Sequence, residues 1–386
     1  VMKRGDLSSL QWFDGRKLKN HLLVSNFQQN NVDIYYSSLN FKDVVLATGR
    51  VAGESKDALI EGFLGMEFAG RRRDTGERVF GISLGFGVAT EIKTYEHMIL
   101  KIPDQWSMEE AATISIVYMT CWYGLIEKGQ LQERESILIH SGAGGVGQAA
   151  INICQYYKCK IFTTVSTEEK RDFLKKNYKL TDEQIFSSRD TEFEEKILEA
   201  TNGNGVDLVL NSLAEDKLLA SFRCLGDDGR FIEIGKYDFQ MNNPLPMFAF
   251  IRNITFHGVA LDKISFLQKK SHLILFQKFQ KWFYDGVEKG FVKPLNRTIF
   301  KPEEVKEAFK YMMTGKHIGK VMIKIRDEEK DRKPLKASPV KIIAATKSWF
   351  DPNKVYIIIG GLGGMGIEMI YWMMLRGAEK VLVTSR

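Results

Sequence analysis

Between Val32 and about Ile102, apolar residues come in short runs broken by glycine and polar turns: Val32-Asp33-Ile34-Tyr35-Tyr36, Leu64 to Gly70, Glu77 to Ile82 and Ala89 to Ile92. Strand-length runs closed by turn residues at intervals of about ten positions predict a compact β domain. The pattern changes after Pro103. Ser107 precedes Met108-Glu109-Glu110-Ala111-Ala112 as a capped helix start, and from Ser136 onward apolar strands alternate with helical stretches. That alternation is the mark of βαβ units on a parallel sheet. Strands are predicted at 137–140, 160–165, 206–210, 230–234 and 254–259, which suffice for one Rossmann-type domain. Farther on, Pro302 in the first turn, Val305, Phe309 and Met312 on one face and Gly315 at the end predict a helix over 302–313, followed by a strand over 321–325. Arg326 to Pro334 is a mixed charge run with almost no apolar content and predicts a linker. Beyond it, Lys354 to Arg386 opens a second strand, glycine loop, helix and strand, and stops before a sheet can be completed.

Composition narrows the class. With 44% hydrophobic and 27% charged residues the chain is an ordinary globular one, not a disordered one. No apolar run reaches the roughly 18 residues of a membrane span, and Val1-Met2-Lys3-Arg4-Gly5-Asp6 has no signal-peptide core behind it, so a cytoplasmic location is expected. The net charge of +7 is spread along the chain, where a nucleic-acid binder concentrates it in a patch. Cys121, Cys154, Cys159 and Cys224 form no CxxC pair and have no clustered histidines, so neither zinc nor a disulfide framework is expected. A first residue of Val and a last strand-like run ending at Arg386 suggest that both ends are cut from something longer.

The strongest chemical signal is Ser141-Gly142-Ala143-Gly144-Gly145-Val146-Gly147, between a predicted strand and a predicted helix. Glycines let the backbone turn tightly against a pyrophosphate, and the helix start offers unpaired N–H groups and a positive dipole end. An NAD-selective site would carry a carboxylate at the end of the next strand. That strand instead ends Thr163-Thr164-Val165-Ser166, with Ser166 and Glu169 spaced as a capping box and Lys170 and Arg171 offering cations, a pattern that favours NADPH. A solvated helix face would show the same two cations.

Chemistry in open α/β sheets lies beyond the carboxyl ends of the strands, and three polar residues follow such ends: Asn211, Lys236 and Asp262. A lysine and an aspartate brought together there can donate a proton. Strand-end polar residues also cap helices, so both roles stay open.

Together Tyr35 to Asp43, Leu64 to Gly70, His140 to Ala150, Leu210-Asn211-Ser212-Leu213, Phe256 to Val259 and Gly315 to Val321 make the chain resemble the enoyl reductase of animal fatty acid synthase, a zinc-independent medium-chain dehydrogenase/reductase. Gly361 to Gly366 and Val383-Thr384-Ser385-Arg386 resemble the opening of the β-ketoacyl reductase that follows it. The resemblance implies an α/β architecture with a GroES-like β-rich lobe over 1–110, a doubly wound parallel Rossmann-type sheet over 111–265 and a segment over 266–327 that completes the lobe. A linker over 328–353 and a truncated second Rossmann unit over 354–386 would follow. The implied reaction is hydride transfer from NADPH to Cβ of a trans-2-enoyl thioester on acyl carrier protein, with a proton to Cα, in a homodimer. Lys236 and Asp262 match the suggested proton donors, and Asn40 and Lys320 border the nicotinamide cleft. The cofactor would further meet Thr120 and the loop residues Gly142, Gly144, Gly145, Val146 and Gly147. At the strand ends it would meet Thr164, Ser166, Lys170, Asn211, Leu213 and Gly235. Related polyketide enoyl reductases often place a tyrosine where Arg50-Val51-Ala52 has none, so a tyrosine donor is not expected there. The tail is expected to bind no second cofactor, because two strands and a helix do not form a crevice wall. A free-standing quinone reductase and a crystallin-like nucleotide-binding protein are the alternative readings.

Overall fold

The computed structural model describes residues 6–12, 29–49, 64–83, 85–261, 264, 270–328 and 350–384. The contacts separate two units, Val1–Leu10 with Leu18–Val340, and Gln11–Lys17 with Lys341–Arg386. In the first unit, β1 (Gln29–Leu39), α1 (Phe41–Ala47), β2 (Glu67–Arg72), β3 (Arg78–Ile82), β4 (Glu91–Tyr95) and β5 (Ile99–Lys101) form an antiparallel lobe. β1 is its spine, because it pairs with both β2 and β4. The β1–β2 register slips between Ile34 and Tyr36, which leaves Tyr35 as the extra residue of a bulge. Opposite that bulge the two backbones come so close that a Cβ on Gly70 would lie 2.1 Å from the carbonyl oxygen of Asp33.

Ser107 caps α2 (Met108–Ala111), its hydroxyl taking the Glu110 N–H at 3.0 Å while Glu110 returns the bond, as the sequence predicts. After α3 (Ser115–Cys121) a π-helical segment, Trp122–Lys128, leads into the parallel sheet. The elements alternate as β6 (Ser136–Ile139), α4 (Gly145–Tyr156), β7 (Lys160–Val165), α5 (Glu168–Tyr178), β8 (Ile185–Ser187), α6 (Phe193–Ala200), β9 (Val206–Asn211), α7 (Asp216–Arg223), β10 (Leu225–Glu233), α8 (Tyr237–Met241) and β11 (Thr255–Gly258). The spatial order is β11-β10-β9-β6-β7-β8, all parallel. Alternate residues feed two cores. Ile137, Leu210 and Ile232 join a cluster that continues through Tyr118 and Trp122 into Tyr35 and Phe80 of the β lobe, while Leu138, Val209 and Phe231 pack with Phe162 and Phe222 on the other face. The sheet has one strand more than the sequence predicts. β8 is three residues long and gives too little pattern to recognise.

The chain then returns through α9 (Lys270–Glu288), whose buried Phe279 and Phe283 enter the first core, to β12 (Arg297–Phe300), α10 (Val305–Met313) and β13 (Lys320–Lys324). β13 lies antiparallel to β1 and β12 parallel to β13, so the last strands extend the first sheet to seven. The helix predicted over 302–313 is a 3-10 turn, Pro302–Glu304, followed by α10. In the second unit, β14 (Val355–Ile359) and β15 (Lys380–Thr384) pair in parallel beside α11 (Gly364–Met374). Ile357 and Ile359 are exposed there. Among the described residues no helix is long and apolar enough to cross a membrane.

Replacing Gly70 with Ala should cost about 1 to 3 kcal/mol, because the added methyl meets backbone and not a movable side chain. Urea denaturation of Gly70→Ala checks this, and an unchanged midpoint would refute the close approach.

Candidate functional site

β6 ends at Ile139, and the chain turns through His140 to Gly144 into α4. The Gly142 N–H donates to the Thr164 carbonyl at 3.0 Å and the Gly144 N–H to the Ser141 carbonyl at 2.8 Å. A Cβ on Gly142 would lie 2.1 Å from Thr163 Oγ1, and one on Gly147 would lie 2.4 Å from the Ser141 carbonyl oxygen. Only glycine fits at either position. α4 starts at Gly145 with Gly144 as its cap and no capping side chain, so the first-turn N–H groups are left for a ligand. The arrangement fits a dinucleotide pyrophosphate. Buried His140 bridges Thr164 Oγ1 at 2.9 Å and Ser221 Oγ at 2.7 Å, and burial holds it down to about 3, so it is a neutral strut between strand end and helix. Thr120 Oγ1 bonds to Ile116 of its own helix at 2.7 Å, and the Val146 carbonyl accepts the Cys121 thiol at 3.4 Å.

The segment before β13 seals this loop: the Gly319 N–H donates to the Ala143 carbonyl at 2.8 Å. The stem of Lys320 lies against the loop, since a Cβ on Gly145 would be 2.9 Å from Lys320 Cδ. Its ammonium is 2.5 Å from Glu67 Oε1, 3.2 Å from Asn40 Oδ1 and 3.4 Å from the Leu39 carbonyl. Glu67 also takes the Asn40 amide at 2.9 Å and the Ile116 N–H at 2.9 Å. Below them Asp43 accepts the Asn40 N–H at 2.8 Å and the Gly65 N–H at 2.7 Å, and burial pushes its carboxyl up to about 6. Asn40 and Lys320, which the resemblance sets at the border of the nicotinamide cleft, are hydrogen-bonded to each other, and the Lys320 charge is matched inside the protein. Sequence reasoning missed Glu67, although an acid between Met66 and Phe68 in an apolar strand was a signal.

At the end of β9, Asn211 donates its amide to the Leu213 carbonyl at 2.8 Å and to the carboxylate of Glu233. The Gly235 N–H donates to the other Glu233 oxygen. Lys236 stands at the N-cap of α8, donates to the Val259 carbonyl and lies 5.6 Å over the Phe239 ring. Ser212 Oγ is 3.3 Å from Ser141 Oγ, which joins these strand ends to the glycine loop. Asp262 lies outside the described residues, as do Arg50, Val51 and Ala52.

The start of α5 differs from the sequence expectation. The cap is Thr167, which takes the Lys170 N–H at 3.4 Å, not Ser166 paired with Glu169. Both residues carry the required hydroxyl; Thr167, extended at φ −146° and ψ 156°, is the one that stands beside the first turn. Arg171 is also turned away, to Asp182 at 3.4 Å and Glu168 at 3.6 Å. Lys170 donates to the Gly315 carbonyl at 2.6 Å, and burial and then Arg189 lower its pKa. Arg189 itself reaches the Ser166 carbonyl at 3.4 Å. Buried Nδ1 of His317 has no hydrogen-bond partner, and burial together with Lys170 and Lys320 holds that ring down to about 4. The tertiary fold brings Arg189 and His317 to this corner without any signal in the local sequence.

A family model described as "Zinc-binding dehydrogenase" matches residues 181–323, and one described as "KR domain" matches 354–386. The chain pairs a medium-chain dehydrogenase/reductase unit with the opening of a KR domain. The reductase unit resembles the solved CurK enoyl reductase, with a TM-score of 0.72 and 28% identity over 84% of this chain and 97% of that one. It shares its fold with a Thermus thermophilus quinone oxidoreductase, with a TM-score of 0.63 and 22% identity over 77% of this chain and 91% of that one. The highly reducing polyketide synthase claI of Penicillium crustosum is 35% identical across 99% of this chain. The highly reducing polyketide synthase gloL of Glarea lozoyensis is 38% identical across 91%. The chain spans 16% and 13% of the lengths of those two relatives. Both of these relatives are polyketide synthases, whereas the sequence resemblance points to animal fatty acid synthase. Despite the family model's name, no three His, Cys, Asp or Glu side chains converge on a metal site among the described residues, so those residues do not fit zinc.

The Lys320–Glu67 pair, 4% and 0% exposed, makes a sharp prediction. Lys320→Met should lose about 3 to 5 kcal/mol of stability by stranding a buried carboxylate, and adding Glu67→Gln should recover at least half. Equal urea midpoints for single and double variants would contradict it.

Proposed function

We propose that the reductase unit reduces trans-2-enoyl thioesters, carried on acyl carrier protein, with NADPH inside a multifunctional synthase, and that it works as a homodimer. The observation that carries this reading is the meeting of the glycine loop with Asn211, Gly235 and Lys236 at the carboxyl ends of β6, β9 and β10. The bound nicotinamide supplies a hydride to Cβ of the enoyl chain. The first turn of α4 holds the pyrophosphate. Lys170 and Arg189 hold the 2′-phosphate: like charges pressed together at a half-buried corner gain from an anion, and no carboxylate ends β7 to claim a ribose hydroxyl. Lys236, fixed by the Val259 carbonyl, holds a proton beside Cα, with Asp262 or water as further sources. Hydrogen-bond donors polarise the thioester carbonyl as charge develops on it. The KR opening binds no second cofactor, so one NADPH per chain is expected.

Crotonyl-thioester-dependent NADPH oxidation, set against quinone-dependent oxidation and RNA retention, tests the reading. Rapid oxidation with quinone alone, or binding of RNA without turnover, would sink it. Lys170→Ala and Arg189→Ala should each raise the NADPH KM roughly tenfold, the weight of one charge-assisted bond, and leave NADH use nearly unchanged. Equal losses with both cofactors would contradict the 2′-phosphate assignment.

A further inference from the structure

Glu233 closes β10, a strand whose other late residues, Phe231 and Ile232, are fully apolar, and it is 2% exposed. Its two oxygens serve different strand ends, one taking the Asn211 amide after β9 and the other the Gly235 N–H. Its backbone carbonyl takes the Val259 N–H at 2.8 Å, and the Val259 carbonyl in turn takes the Lys236 ammonium. A Cβ on Gly235 would come 2.6 Å from Glu233 Oε1, so the turn is drawn tightly over the carboxyl group. One buried acid thus joins the ends of β9 and β10 and the segment after β11, along the wall of the proposed cofactor cleft.

We propose that Glu233 is a positioning residue of that cleft, its ionised carboxylate holding the Asn211 amide and the Gly235–Lys236 turn in the arrangement that receives the nicotinamide end of NADPH. The inference rests on the NADPH-dependent reading above. Both groups that reach Glu233 are donors, which suits a carboxylate that only accepts; a proton removes acceptor capacity from one oxygen and adds a third donor that has no acceptor among these two. Burial favours that proton and pushes the carboxyl up to about 7, with the hydrogen bonds from Asn211 and Gly235 opposing it. The charged groups facing it are Lys236 from the turn after β10 and Asp238 from α8, while β9 offers the neutral Asn211 and β11 sets Gly258 opposite. The arrangement is therefore complete above pH 7 and loosened below it.

Fluorescence titration of NADPH against the full chain from pH 6 to 8.5 tests this, with Glu233→Gln alongside. The amide of Gln must aim a donor at one of two donors, so the variant mimics the protonated acid at every pH. The variant-to-wild-type ratio of Kd should rise from about two at pH 6 to roughly tenfold at pH 8, and taking the ratio cancels the titration of the cofactor's own phosphate. Thermal melting checks that Glu233→Gln is folded, and Asn211→Ala, which removes one donor, should weaken binding in the same pH-dependent way if it is not. A ratio that stays flat for every folded variant overturns the proposal. A wild-type chain that binds no NADPH would instead refute the cofactor reading on which the proposal rests.

Discussion

The Lys320–Glu67 ion pair is the contact on which the cleft depends. Two charges taken out of water are tolerated only when each finds its opposite and its remaining bonding positions are filled. Here Lys320 also meets Asn40 and the Leu39 carbonyl, and Glu67 also meets Asn40 and the Ile116 N–H. The groups so joined come from the end of β1, from β2, from the start of α3 and from β13. Because the Lys320 stem also lies on Gly145, the same pair fixes the β lobe against the glycine loop. The parallel sheet and the antiparallel lobe thereby share one polar junction as well as one apolar core.

Two buried acids divide the work of shaping the strand ends. Glu67 is held by a lysine in a direct ion pair, whereas the hydrogen bonds to Glu233 come from an amide and a backbone N–H. Burial pushes the Glu233 carboxyl up to about 7, at the edge of the proposed cofactor cleft. Linkage sets the sign. Glu233 keeps its proton more tightly folded than unfolded, so its contribution to stability is full below about 4.5 and is lost as pH rises through 7. Cofactor binding that favours the ionised form would run against that trend.

Backbone requirements were legible in the sequence, and long-range polar partners were not. The glycine loop could be read because nothing else satisfies its spacing before α4, and the capped start at Ser107 because Glu110 stands three residues on. The cap of α5 misled, since Ser166 and Thr167 offer the same hydroxyl and only the backbone angle decides between them. Glu67 and Glu233 left a trace, each an acid inside an apolar strand. Arg189 and His317 left none: Arg189 reaches Lys170 through the pairing of β7 with β8, and His317 through the return of the chain to β13. Asn211 and Lys236 were named as candidates by the rule that chemistry follows strand ends, which gives positions but not the bonds made there.

In the proposed reaction a hydride passes from a nicotinamide held on the α4 cradle to Cβ of an enoyl thioester. Turnover of crotonyl thioester with NADPH deuterated at the reactive face of C4, followed by mass analysis of the product, follows that hydride. The expected product is butyryl thioester carrying one deuterium on C3. Unlabelled butyryl product, or label recovered at C2, would contradict it.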